Sequence, residues 1–249
     1  MTANRPSLGC LLRSEALKAA TMPATYGLLA AILAMTALNT ALPLSDLHAN
    51  LAVVQTVHHA LSGGRDFTVL FVALGAVGAA TEFRHGTAIP TFLATPRRSR
   101  LMRAKITIYL ALGLLTALVA AVVQLAIVLP WAATNDHALA PWDPAVLDPL
   151  LASCAAGACY AALGVAIGLL VRNQLVALMI AIGWFTVAEN ALAILVPGVS
   201  RYLPGGALSG VDTHGLHLLP LYAAVPLLAA WVLAISTLAL RTTLRRDIA

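Results

Sequence analysis

The spacing of charge constrains this chain more than any motif does. No Asp, Glu, Lys or Arg occurs from Ala19 to Ser45, Phe67 to Thr81, Ile106 to Asn135, Pro149 to Val171 or Leu216 to Leu240, and the stretch Gln174–Val196 contains only Glu189. A helix rising 1.5 Å per residue crosses ~30 Å of hydrocarbon in ~20 residues, so each interval predicts a membrane-spanning helix. The expected spans are 26–44, 61–81, 106–131, 149–171, 174–196 and 216–240. The second reaches full length only by borrowing Leu61–Gly64. Of the 249 residues, 60% are hydrophobic and 10% charged, against roughly 25% charged in soluble domains. Too few charges remain to cover a soluble surface, which excludes a soluble enzyme, a disordered chain and a disulfide-stapled secreted domain. The expectation is an all-α integral membrane protein of six transmembrane helices, one domain over 1–249.

Basic residues orient the spans. With the N-terminus inside, the inner segments hold 13 of the 15 Lys and Arg residues, and the outer ones hold Arg65 and Arg201. Inner loops enriched in this way place both termini in the cytoplasm. The same loops account for the net charge of +5 without nucleic acid as a partner. No cleavable signal is expected, because Arg13, Glu15 and Lys18 precede the first apolar run. Cys10, Cys154 and Cys159 read as small apolar filler. The two halves share no pattern of broken spans, which argues against an inverted-repeat carrier.

Several segments stand apart from plain spans. Residues 7–21 predict an amphipathic helix capped by Ser7. Leu8, Leu11, Leu12, Ala16 and Ala19 or Ala20 would lie on one side, with Arg13, Glu15 and Lys18 turned away. Pro23 would then interrupt the chain before the first span. After the second span, Glu82 falls at a helix C-terminus, where the dipole disfavours an acid. Arg84 or the Arg97–Lys105 cluster is the expected compensation. Gly86 suits a left-handed helix terminator, and Pro90 and Pro96 bracket a short apolar piece, Thr91–Leu93.

Glu189 lies 15 residues past Gln174, about 22 Å into its span. Acids at such depth face the bundle or a wet cavity, so Glu189 is a candidate for the substrate path or an outer gate, with a structural hydrogen bond as the alternative. Small residues at four-residue spacing, in the sets Ser153/Gly157/Ala161, Gly164/Gly168 and Gly75/Ala79, let helices approach closely. His58-His59 and His214-x-x-His217 lack further ligands, so no metal site is expected.

The chain resembles the six-span permease subunits of ABC-2 type transporters, found in bacterial exporters of drugs, antibiotics and lipids. The resemblance rests on Ser14-Glu15-x-x-Lys18, on Glu82-Phe83-Arg84-x-Gly86-Thr87 followed by Ala94-Thr95-Pro96-Arg97-Arg98 and Lys105, and on Leu203-Pro204-Gly205-Gly206. It implies an assembly of two permeases, a homodimer in this reading, with two ABC ATPase subunits in the bacterial plasma membrane. Residues 7–21 would be a connecting helix and 87–105 a cytoplasmic coupling helix seated on the ATPase. Residues 197–212 would be an outer re-entrant segment. The coupling residues it implies are Glu15, Lys18, Glu82, Arg84, Gly86, Thr87, Phe92, Pro96, Arg97, Arg98, Arg100 and Lys105. ATP and Mg would be bound by the partner. The chain itself has two lysines, neither within a phosphate-binding G-x-x-x-x-G-K-[ST] loop, so it is expected to carry no catalytic residues and no cofactor. An intramembrane enzyme or a non-catalytic membrane subunit are the competing readings.

Overall fold

The computed structural model describes residues 8–45, 56–57, 60–61, 68–84, 86, 98–135, 139–196, 198–205 and 221–245. Every long element among them is helical: α1 (Leu8–Thr21), α2 (Pro23–Ser45), α3 (Thr68–Arg84), α4 (Arg98–Thr134), α5 (Pro144–Val171), α6 (Gln174–Ile182), a π-helical segment (Gly183–Ala188), α7 (Glu189–Leu195) and α8 (Leu221–Arg245). A short 3₁₀ turn, Ser200–Tyr202, follows α7.

Five helical stretches are long and apolar enough to cross a membrane: Pro23–Ser45, Ser99–Thr134, Pro144–Val171, Gln174–Leu192 and Tyr222–Thr242. The chain is therefore read as a helical membrane protein. The expected second span falls on α3, whose 17 described residues are too few to cross alone, while residues 62–67 lie outside the described residues. Other boundaries also differ. The start of the expected coupling segment, 87–97, lies outside the described residues. Its remainder, Arg98–Lys105, forms the first two turns of the 37-residue α4 instead of a separate piece. Nothing between Arg98 and Thr134 stops that helix, and Pro130 sits close enough to the end to be tolerated. The fourth span begins earlier than 149, at Pro144, because Asp143 caps it by accepting from the Ala145 amide and Pro144 occupies the first turn.

The core is built on α3 and α5. Phe71 to Ala80 of α3 are all buried, and α3 packs most extensively against α5, which in turn packs against α4 and α8. The small residues allow this. A Cβ on Gly75 would collide with the Ala161 carbonyl, and one on Gly164 with the Val72 carbonyl, so α3 and α5 run side by side in parallel at backbone contact. Gly113 meets the Gly157 carbonyl in the same manner, drawing α4 against α5. In lipid, where burying apolar surface gains little, such close packing is the main attraction between helices. The outward faces stay apolar: Leu115, Val119 and Val122 of α4, and Leu175, Val176, Met179 and Ile180 of α6, are exposed.

Candidate functional site: a closed ring of four charges

α1 docks on the first turns of α4. Leu11 is buried against Leu101 and Ala104, with Leu12 and Phe83 packed around them. One helical turn beyond Leu11 lies Glu15, and one turn further Ala19; these three form the buried stripe of α1. This corrects the expected face. Glu15 points inward and is 1% exposed, whereas Leu8 is exposed. The reason is a partner 90 residues away in the sequence: Lys105 Nζ lies 2.6 Å from Glu15 Oε2.

Lys105, itself 2% exposed, also donates to Glu82 Oε1 at 3.0 Å. Lys18 donates to the same Glu82 oxygen at 2.8 Å and to Glu15 Oε1 at 2.8 Å. The result is a ring in which each lysine touches both glutamates. It joins α1, the C-terminus of α3 and the N-terminal end of α4, and it uses both lysines of the chain. Its formal charge is zero. The anticipated compensation of Glu82 thus comes from Lys105 and Lys18. Arg84 is directed elsewhere, its Nη1 donating to Gln174 Oε1 at 3.3 Å.

Burial alone would push the Glu82 carboxyl upward. The charge of Lys105 and the hydrogen bond from Lys18 outweigh it, and Glu82 is held below its ordinary 4.5. Burial likewise opposes the charge on Lys18, but its bonds to Glu15 and Glu82 raise it above 10.5. Glu82 and Lys18 are therefore both held in their charged forms at neutral pH. Tyr109, one turn along α4 from Lys105, is buried beneath the ring. Its phenol oxygen occupies the space where a Cβ on Gly78 would stand.

A second constellation surrounds residues 200–205. Tyr160 donates to the Pro204 carbonyl at 2.7 Å and Trp231 Nε1 to the Tyr202 carbonyl at 2.9 Å. Glu189 Oε1 accepts from Trp184 Nε1 at 2.8 Å and from the Gly205 amide at 3.1 Å. Tyr160 stands about 24 Å from the start of α5 and about 17 Å from its end. Trp231 is about 15 Å from the start of α8 and about 21 Å from its end. The segment therefore dips to the middle of two spanning helices. Irregular backbone at that depth has no water to satisfy it, and these three side chains supply the partners. Glu189, 7% exposed, is occupied in holding this segment, which favours the structural alternative for it. The π-helical turn makes this possible. The Glu189 amide bonds to the Trp184 carbonyl five residues back, so Trp184 and Glu189 fall on one side of the helix.

Of the remaining candidates, Gly86 adopts φ 68° just beyond α3, the left-handed conformation that glycine accepts without cost. Arg100 is partly buried on the first turn of α4. Thr87, Phe92, Pro96 and Arg97 lie outside the described residues, as do the histidine pairs 58–59 and 214/217; Arg98 is described as the first residue of α4, though not its side chain. Among the described residues no three His, Cys, Asp or Glu side chains come together as a metal site. Tyr109, Tyr160, Trp184 and Trp231 were not singled out for a role from the sequence.

No protein-family model matches this chain, and searches of curated proteins and of solved structures give no significant match.

Proposed function

We propose that this chain is the membrane-spanning permease subunit of an ATP-driven exporter of the ABC-2 type. It would form a homodimer with two ABC ATPase subunits in a bacterial plasma membrane. One observation carries the reading: three separate stretches on which the resemblance rests supply the four members of a single buried ring. These are Ser14-Glu15-x-x-Lys18, the stretch starting at Glu82, and Lys105. A chain whose N-terminal helix merely lay on the membrane would not need the buried Glu15–Lys105 pair and the half-exposed Lys18–Glu82 pair to hold it.

In this reading the ring lies at the cytoplasmic end, below six spans. It brackets the 87–97 loop, because Glu82 stands just before that loop and Lys105 just after it. An ATPase pressing on the loop pushes on α3 and α4 together, and α1 moves with them as one body. ATP and Mg stay on the ATPase, and this chain contributes no catalytic group. The segment at 200–205, with Glu189 behind it, closes the outer end of a path for lipophilic or drug-like molecules leaving the cytoplasm or inner leaflet.

The test is affinity purification of the tagged chain from its native membranes in mild detergent, with mass spectrometry of what accompanies it. A P-loop subunit in one-to-one ratio, lost on charge reversal of Arg97, Arg98 and Arg100, is the expected result. Absence of any ATPase, even after cross-linking in the membrane, contradicts the reading.

A further inference from the structure

At the same end of the bundle as the charge ring, the C-terminus of α3 and the turn between α5 and α6 enclose a cavity of about 350 Å³, lined by Phe83, Arg84, Arg172, Asn173, Gln174 and Leu175. Among the described residues, two guanidinium-bearing side chains line it and no acid does. Arg84 is held toward the cavity wall by Gln174, and the Arg172 guanidinium lies 5.9 Å from the centre of the Phe83 ring.

The backbone at Arg172 is the unusual feature. It ends α5 with φ 58° and ψ 11° while its amide donates to the Gly168 carbonyl at 2.9 Å. It is the one described non-glycine residue with positive φ. Glycine or asparagine would take that left-handed position more readily; a long side chain there carries a strain of roughly 1–2 kcal/mol. Strained positions that keep a demanding side chain cluster at binding sites.

We infer that this cavity binds the phosphate of an anionic phospholipid. Guanidinium groups match phosphate oxygens in pairs, and basic pockets between spanning helices at a membrane surface suit lipid headgroups. The cavity sits where α5 ends and α6 begins, both of them parts of candidate spans, so it faces the boundary between water and hydrocarbon. Leu175 on its wall is 74% exposed and opens onto Val176, Met179 and Ile180, an apolar strip on which an acyl chain can lie. A soluble phosphate would have no use for that strip.

The test compares the full-length protein in nanodiscs of phosphatidylcholine alone and of phosphatidylcholine with one quarter phosphatidylglycerol. Native mass spectrometry counts retained lipid and a melting curve reads protection. Phosphatidylglycerol should be retained and raise the melting temperature of the wild type, while Arg172→Gly and Arg84→Gln lose at least tenfold in retention. Because glycine relieves the left-handed strain, Arg172→Gly should melt no lower than wild type in phosphatidylcholine alone, which separates lost binding from lost folding. Unchanged retention in both variants overturns the proposal. So does equal protection by inorganic phosphate, and so does an unchanged lipid count accompanied only by loss of a co-purifying protein. None of these readouts depends on the presence of an ATPase.

Discussion

The ring at Glu15, Lys18, Glu82 and Lys105 and the clasp around residues 200–205 both hold an accessory segment against the spans, but by different chemistry. The ring uses two lysines and two glutamates, three of them buried, each within 3.0 Å of two opposite partners. Breaking it strands a charge away from water. The clasp uses a phenol, two indoles and one carboxylate, and four of its bonds end on or come from neutral groups. The bonds between neutral groups contribute only about 0.5–1.5 kcal/mol net each, and those to the Glu189 carboxylate about 1.5–3 kcal/mol. In the proposed permease, the first would serve as a joint that stays shut while force passes through it, and the second as a segment that opens and reseals.

Removing one member of the ring gives the largest effect. Lys105→Met leaves Glu15 and Glu82 short of a cation and should destabilise the protein by about 3–5 kcal/mol, seen as a steep fall in melting temperature in detergent and in yield from membranes. The triple change Lys105→Met, Glu82→Gln and Glu15→Gln should recover much of that loss, since no buried charge is then left alone. No recovery in the triple variant would mean that packing, not charge, secures α1.

Next comes the backbone contact that both regions depend on. Gly75→Val should cost at least about 1–3 kcal/mol, because the Ala161 carbonyl cannot withdraw. Equal stability of this variant would show that α3 and α5 are not in backbone contact.

The clasp should yield more gently. Tyr160→Phe and Trp231→Phe each leave one carbonyl unpaired, at Pro204 and Tyr202 respectively, and should lower stability by only about 1–3 kcal/mol apiece. They should speed hydrogen exchange across 200–205 without affecting α1. Faster exchange in α1 would remove the distinction drawn here. Glu189→Gln keeps an acceptor for Trp184 and Gly205 and should exchange nearly as wild type, whereas Glu189→Leu should not.

The smallest effect is that of mild acid. Glu82 has a folded-state value below 4.5, so its contribution is complete above 4.5 and is lost as the pH falls through the lower folded value. Lys18 has a raised value, so its contribution holds until the pH climbs beyond 10.5. Melting should therefore be flat between pH 5 and 9 as far as Glu82 and Lys18 are concerned. A ring-dependent transition near pH 6–7, absent in the triple variant, would mean that one carboxyl is not fully paired.

The two regions also differed in how far the sequence disclosed them. Charge-free intervals marked five stretches that are helices long and apolar enough to cross a membrane, since hydrocarbon penalises charge wherever it falls, whereas the expected span 61–81 falls on the shorter α3 and partly outside the described residues. Pro23 and Gly86 marked helix ends because their backbone preferences are local. The small residues at Gly75, Gly157 and Gly164 pointed to close helix packing before any partner was known. What stayed hidden was pairing. Glu15 beside Arg13 and Lys18 looks like part of a solvated face, and only Lys105, far along the chain, turns it inward. Glu189 stood out as an acid in a span, and Leu203-Pro204-Gly205-Gly206 as part of an outer segment, but that the two meet depends on a π-helical turn that no residue type announces.

The most direct test of the joint is a pulsed electron–electron distance between spin labels on α1 and α4. Cys10 is exposed and native; Cys154 and Cys159 are replaced by alanine, and Arg103→Cys supplies an exposed second site. The account predicts one narrow distance distribution in lipid, unaltered from pH 5 to pH 9 and spread widely by Lys105→Met. A broad distribution in the otherwise unaltered chain, or a narrow one that survives Lys105→Met, would contradict the claim that the charge ring locks α1 to the spans.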